Sequence, residues 1–389
     1  MSGRIVVLGM HRSGTSCVGE LLAAMGAYFG PRDMGGAGSV ENPHGLFERR
    51  DLRRLCHFIL QQARCEWWAT SRFSPDRLPV ETDVQIVGML TPMLADLDAH
   101  EPWFIKEPRL CILLPMLRAR LGPVTTVCVW RDPLEVAQSL QTRDAMPIEF
   151  GIALWERYTR ASFALDAPRV IVSYNRLVAD PEGVTRKLLD DLTVRGVGGL
   201  RMPAPAQLAQ VIDPRLRRSA PSADASALLS PSQRRLLVAL EAGDPAAELA
   251  APLSADRLAH LGRLEEARRR QMKAAAYRSL AEARVTRSPL ATRMPEALAY
   301  VPWNPMQWVK WLRQGKLGRR LHQHLDAATI ALSGGFDAQW YRQRYPDLTG
   351  TEDPLMHFVR YGASEGRDPS PSYPTSRNLR AALEEATVR

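Results

Sequence analysis

Residues 7–16 read Val-Leu-Gly-Met-His-Arg-Ser-Gly-Thr-Ser. Gly9, four intervening residues and Gly14 set the frame of a phosphate-binding loop. In nucleotidases the frame continues Lys-Ser/Thr, and the lysine reaches the β- and γ-phosphates. Here Thr15 stands at the lysine position and Arg12 lies inside the loop. A loop between a strand and a helix offers backbone N–H groups and a positive helix end to a phosphate. Ser13, Thr15 and Ser16 add hydroxyls. The missing lysine argues against ATP or GTP hydrolysis. So does the lack of a clear Mg²⁺-binding acid at a strand end: Asp132, the nearest, sits between Arg131 and Pro133 and fits a helix cap better. A group carrying less charge than phosphoryl can be transferred without a metal, with an arginine stabilising the bridging oxygen.

A second constellation is Val-Trp-Arg-Asp-Pro-Leu-Glu-Val-Ala-Gln-Ser, residues 129–139. Arg131 ends an apolar run, and Ser139 follows two turns into the next helix. An arginine fork with a hydroxyl can clamp a second phosphate. Two phosphate sites on one sheet suit a nucleotide phosphorylated at both its 3′ and 5′ positions.

Together, "GMHRSGTS" and "VWRDPLEVAQS" resemble the two nucleotide motifs of sulfotransferases that use 3′-phosphoadenosine 5′-phosphosulfate (PAPS) and release adenosine 3′,5′-bisphosphate (PAP). "FIKEPRL" (104–110) resembles a Lys-Asp/Glu-Pro-Arg segment frequent in bacterial members. "VSYNRLVADP" (172–181) resembles the family's Tyr-Glu-x-Leu stretch, with Asn175 in place of the glutamate. The resemblance covers roughly residues 3–220. It implies that Arg12 contacts the 5′-phosphosulfate, and that Ser13, Gly14, Thr15 and Ser16 hold the 5′-phosphate. Arg131 and Ser139 would hold the 3′-phosphate, Tyr174 would touch the donor, and no metal would be needed. Arg217 and Arg218 are read either as part of a basic closing loop or as solvated charges.

The same resemblance implies a Glu or His base in "ENPHGLFERR" (41–50). Glu48 is the first choice and His44 the second. A carboxylate whose pKa is raised by burial can take a hydroxyl proton; the competing role for Glu48 is an ion pair with Arg49, Arg50, Arg53 or Arg54. Lys106 either polarises the transferred group or bridges to Glu107 or another acid.

The elements that must position these residues alternate in type. Residues 4–9, 103–108, 124–130 and 169–174 are short apolar runs suited to buried parallel strands. Residues 109–122, 132–140 and 180–192 have helical spacing, with Asp132–Pro133 and Asp180–Pro181 as start signals and Gly122 as a stop. The alternation predicts a P-loop-like three-layer αβα domain with a mainly parallel sheet, plus a helical C-terminal region. Ligands then gather at the carboxyl ends of the strands. The expected division is 1–220 as the sulfotransferase domain, 221–330 as a helical extension and linker, and 331–389 as a small accessory module.

The net charge of +9 fits anionic partners, though most of the 51 Lys and Arg residues read as solvated. Five cysteines without a C-x-x-C pair read as reduced thiols rather than a zinc site or disulfide framework. No spanning apolar run or signal peptide is read, so the expected place is the cytoplasm, at or near the inner face of the membrane. The tail, 336–373, resembles a helical module appended to bacterial enzymes of surface-glycan assembly. That neighbourhood points to a carbohydrate or glycolipid acceptor, and the tail's aromatics read as a small core. Nucleic acid is not expected, because the basic residues lack an aromatic-interleaved motif. Residues 303–325 mix Trp with Lys and Arg; they read as a packed helix with a basic solvated side, or as a peripheral membrane contact. Two rivals to the sulfotransferase reading are an ATP-dependent small-molecule kinase and a non-catalytic glycan- or anion-binding protein.

Overall fold

The description covers residues 3–31, 34–35, 47–164, 166–212, 227–243, 253–283, 294–302, 305–345, 348, 352–376 and 378–380 of a computed structural model. All four apolar runs are strands: β1 (Arg4–Leu8), β2 (Trp103–Lys106), β3 (Thr125–Trp130) and β4 (Arg169–Ser173). They pair in parallel in the order β2-β1-β3-β4. Helices α1 (Thr15–Ala24), α2 (Arg50–Gln62) and α3 (Glu81–Asp98) lie between β1 and β2 in the chain; α4 (Leu110–Leu121) links β2 to β3. Helices α5 (Pro133–Asp144) and α6 (Ile148–Phe163) precede β4; α7 (Tyr174–Ala179), α8 (Pro181–Val194), α9 (Pro205–Val211) and α10 (Pro231–Ala242) follow it.

Successive strand side chains point to opposite faces. On one face Ile5, Val7, Val127 and Val172 pack with Leu21 and Leu22 of α1, Leu188 of α8 and Leu208 of α9. Val6, Leu8, Ile105 and Cys128 alternate with them and are equally buried. Cys128 Sγ donates to Ser162 O in α6 at 3.4 Å, which marks the opposite helical layer. In that layer a Cβ on Gly151 of α6 would fall 2.8 Å from Ala137 Cα of α5, so only glycine admits this helix contact. Burial on both faces is why β1, β2 and β3 read as unbroken apolar runs, whereas the edge strand β4 alternates part-buried and buried residues. The architecture is the expected three-layer αβα sandwich.

Two details differ from the sequence expectation. Glu107 and Pro108 have left the sheet, because β2 ends at Lys106. Tyr174 opens a helix instead of ending a strand: Ser173 Oγ caps α7 by accepting from Arg176 N at 3.3 Å. The other start signals act as expected. Asp132 accepts from Leu134 N and Glu135 N at 2.9 and 3.1 Å, and Asp180 accepts from Gly183 N at 2.9 Å.

The chain divides into two compact units, Met1–Gly262 and Arg263–Arg389, the division falling within α11 (Ala255–Ala283). The second unit holds α12 (Met294–Ala299), α13 (Pro305–Arg313), α14 (Leu317–Ser333), α15 (Ala338–Arg344) and α16 (Pro354–His357). Its core gathers Ala276, Ile330, Tyr341, Leu355 and Phe358. Phe336 packs its ring 5.1 Å from Tyr341 and 5.4 Å from Phe358, so most of the tail's aromatics form a core; Tyr361 is half exposed.

Candidate functional site

Strand β1 lies between β2 and β3, and the chain leaves it first towards β2 and later, from β2, towards β3. This reversal of direction opens a crevice at the carboxyl ends of β1 and β3. The loop Gly9–Gly14 sits there. Gly9 cannot be replaced without conflict: a Cβ would lie 2.5 Å from Val129 O of β3. Gly14 adopts φ 87°, and a Cβ on it would lie 2.1 Å from the Tyr174 ring, so the loop needs glycine for both backbone and space. Helix α1 starts at Thr15 with no side-chain cap and no acid in its first turn, which leaves its positive end uncompensated by side chains. Ser13 is buried, and its Oγ has no hydrogen-bond partner among the described residues. A buried hydroxyl at an uncapped helix start is what a bound phosphate oxygen would complete. Arg12 itself takes φ 69°, a left-handed conformation unusual for a residue with a side chain.

The two motifs meet directly. Arg12 Nε donates to Ser139 Oγ at 2.8 Å, joining the loop to α5. Arg131 Nη1 donates to Arg12 O at 3.3 Å, and its guanidinium lies 5.1 Å from the centre of the Tyr174 ring. Arg131 is buried and its Nε donates to Glu135 Oε2 at 2.7 Å, so the fork is held by a carboxylate one turn into α5. Glu135 was not singled out in the sequence. The i, i+4 spacing of Arg131 and Glu135 in "RDPLE" was the signal for it. Asn175 Nδ2 donates to Glu135 Oε1 at 2.8 Å. The departure from the family's Tyr-Glu pair therefore has a local reason: a glutamate at 175 would set a second carboxylate against Glu135.

A third group joins the loop to β2. Lys106, almost wholly buried, donates through Nζ to Ser16 Oγ at 2.9 Å and to Glu48 Oε1 at 2.8 Å. Glu48 Oε2 lies a looser 3.7 Å from Arg53 Nε. Lys106, Ser16 and Glu48 are thus one connected cluster. Of the arginines weighed as partners for Glu48, Arg53 approaches it. Arg49 turns the other way, into the protein. It donates to Asp96 at 2.7 Å, to Asp51 at 2.8 and 3.1 Å, and to Phe29 O at 3.2 Å, fixing the chain just before α2. Lys106 pairs with Glu48, while Glu107 is held by Arg109 at 2.5 Å. Burial, with the Glu48 charge added, pushes the Glu107 carboxyl up against the pull of Arg109.

His11, inside the quoted loop, is marked out by no local pattern, because its surroundings come from distant residues. Its ring sits 4.4 Å from the Trp67 ring and 5.9 Å from Tyr158, and Arg143 lies 5.4 Å over Trp67 from another side. Its Nε2 is enclosed without a hydrogen-bond partner among the described residues. Burial, then the charges of Arg143, Arg109, Lys106 and Arg12, hold the imidazole well below its ordinary pKa. The site thus presents several cations around one neutral imidazole. His44, Arg217 and Arg218 lie outside the described residues.

Residues 4–195 match the family model described as the sulfotransferase family. This domain is a sulfotransferase-family domain. No curated protein matches the chain. Among solved structures it is similar to the sulfotransferase domain from the Synechococcus PCC 7002 olefin synthase, at 19% identity over 58% of this chain and 92% of that one, with a TM-score of 0.32. At that TM-score the likeness carries no weight for the reaction. For the sulfotransferase domain it is the family match that assigns sulfuryl transfer in general.

Proposed function

We propose that the sulfotransferase domain moves a sulfuryl group from PAPS to a hydroxyl of a carbohydrate, in a bacterial surface polysaccharide or glycolipid. The observation that carries this is the joining of Lys106 to Ser16 and Glu48 at the ends of β1 and β2, beside the joining of Arg12 to Ser139 and of Arg131 to the loop and Tyr174. The orphaned Ser13 hydroxyl and the glycine-only approach of Tyr174 to the loop fit a nucleotide phosphate. When bound, the donor supplies an activated sulfuryl group whose bridging oxygen departs with the phosphate.

The chain's own residues do the rest. The α1 end, Ser13, Thr15 and Ser16 bind the 5′-phosphate. Arg131, supported by Glu135, and Ser139 bind the 3′-phosphate. Arg12 neutralises charge on the departing oxygen. Glu48 accepts the acceptor's hydroxyl proton as the acceptor oxygen bonds to sulfur and the bond to the bridging oxygen breaks. Lys106 holds Glu48 in place and brings a positive charge to the transferred group.

Ser16 occupies the position whose hydroxyl binds Mg²⁺ in a P-loop nucleotidase. Here that hydroxyl accepts from the Lys106 ammonium at 2.9 Å. A lysine charge thus fills the place of the divalent ion, which supports sulfuryl over phosphoryl transfer and disfavours the kinase rival. One observation favours a second base: Glu48 is engaged by Lys106, whereas His11, held neutral next to Arg12 in the chain, has no partner for its Nε2 among the described residues.

Thermal shift with PAP against ATP tests the donor assignment. Selective stabilisation by PAP is expected, and preferential stabilisation by ATP would return the site to a kinase. Transfer of labelled sulfate to candidate glycans separates an enzyme from a non-catalytic binder.

A further inference from the structure

Seven of the fourteen large hydrophobic side chains that are exposed among the described residues fall within residues 294–325 of the second unit. Helix α13 concentrates them: Met306 is 74% exposed, Leu312 64%, Trp308 43% and Val309 42%. Residues advance about 100° around a helix, so these four span an arc of about 160°. Trp311 is the inward residue, 7% exposed, with its ring 5.2 Å from His324 of α14. The helix is therefore anchored by one tryptophan while its apolar arc faces outward. Of the three apolar positions 308, 311 and 312, Trp311 alone is buried.

Charge says what covers this arc. Between Glu296 and Asp326 the sequence has no acidic residue and five basic ones, Lys310, Arg313, Lys316, Arg319 and Arg320. Lys310 and Arg313 flank one edge of the arc, where long basic side chains can reach lipid phosphates while the apolar groups enter below them. A protein partner would need a matching acidic and apolar face; an anionic bilayer supplies both over any area. Trp308, at the other edge, has its indole N–H already bonded to Pro302 O at 2.8 Å, so the ring as held brings no unpaired donor to an apolar interface.

We propose that α13 and the basic turn after it dock this protein on anionic lipid, with Met306, Val309 and Leu312 entering the interface. The inference stands apart from the sulfuryl-transfer reading. The test is co-sedimentation of the full chain with phosphatidylcholine vesicles containing phosphatidylglycerol, and with phosphatidylcholine alone, alongside the variants Val309→Glu/Leu312→Glu and Lys310→Glu/Arg313→Glu. Wild type is expected to bind the anionic vesicles, weakly the neutral ones, and less as salt rises. Each double variant is expected to lose at least about tenfold in partitioning, with unchanged circular dichroism. Failure of wild type to bind anionic vesicles would overturn the proposal. So would equal binding by the variants, or a self-association in ultracentrifugation that the Val309→Glu/Leu312→Glu change abolishes, which would assign the arc to a second copy.

Discussion

At the scale of single residues, the cluster Arg12–Ser139 and Lys106–Ser16–Glu48 separates roles by what each group already holds. Arg12→Ala removes the positive charge at the leaving oxygen, so kcat should fall by about a hundredfold or more. PAP should still protect the variant in thermal shift, because Arg131 and the loop backbone remain; normal turnover would remove Arg12 from the reaction. Glu48→Gln and His11→Gln decide the base. Glu48→Gln should cost about a hundredfold or more in kcat. A larger loss in His11→Gln, together with loss of the acidic limb of the pH–rate profile, would pass the role to His11. His11 also predicts a pH effect on stability. Its imidazole takes up a proton near pH 6.5 in the unfolded chain but only at lower pH when folded. Stability is therefore complete above about pH 6.5 and falls as pH drops below it, and His11→Gln should flatten that part of a denaturation-against-pH series.

At the scale of elements, the site depends on three junctions. Gly14 joins β1 to α1 beneath the Tyr174 ring, so Gly14→Ala meets both a disfavoured φ and a clash. It should destabilise the fold by more than about 2 kcal/mol and abolish the PAP-induced shift in melting temperature. Arg49 ties the start of α2 to Asp96 of α3, with Glu48 next to it. Arg49→Met should cost about 1–3 kcal/mol in urea denaturation, since the two acids it leaves are partly exposed and can rehydrate. It should also lower kcat, although Arg49 touches no reacting group. The strands, the caps at Asp132 and Asp180 and the loop frame were legible in the sequence, because each rests on local spacing and residue type. The pairing of Arg131 with Glu135 was legible too, from its i, i+4 spacing; the inward turn of Arg49 and the Lys106–Ser16 contact were not. Their meaning depends on partners as much as 90 residues away, which no local pattern encodes. His11 was visible but silent, since its enclosure comes from Trp67 and Tyr158.

At the scale of the whole molecule, two units with separate cores should respond separately to ligand. In calorimetry of the full chain, PAP should raise the transition belonging to residues 1–262 and leave the other in place. A single transition that moves as one would show the two cores to be cooperative. No helix among the described residues is long and apolar enough to cross a membrane. Under the docking proposal, the exposed arc of α13 is a feature by which the chain would meet a bilayer surface.

The central claim is metal-independent sulfuryl transfer by the loop of residues 9–16 with Lys106 in the place of a divalent ion. Its most direct test is transfer of labelled sulfate from PAPS to surface-glycan acceptors by the full chain, with a chelator present and with Arg12→Ala as control. The account predicts transfer that survives the chelator and is lost in the variant. Transfer that requires added Mg²⁺, or labelled phosphate passing from ATP to the same acceptors, would contradict it.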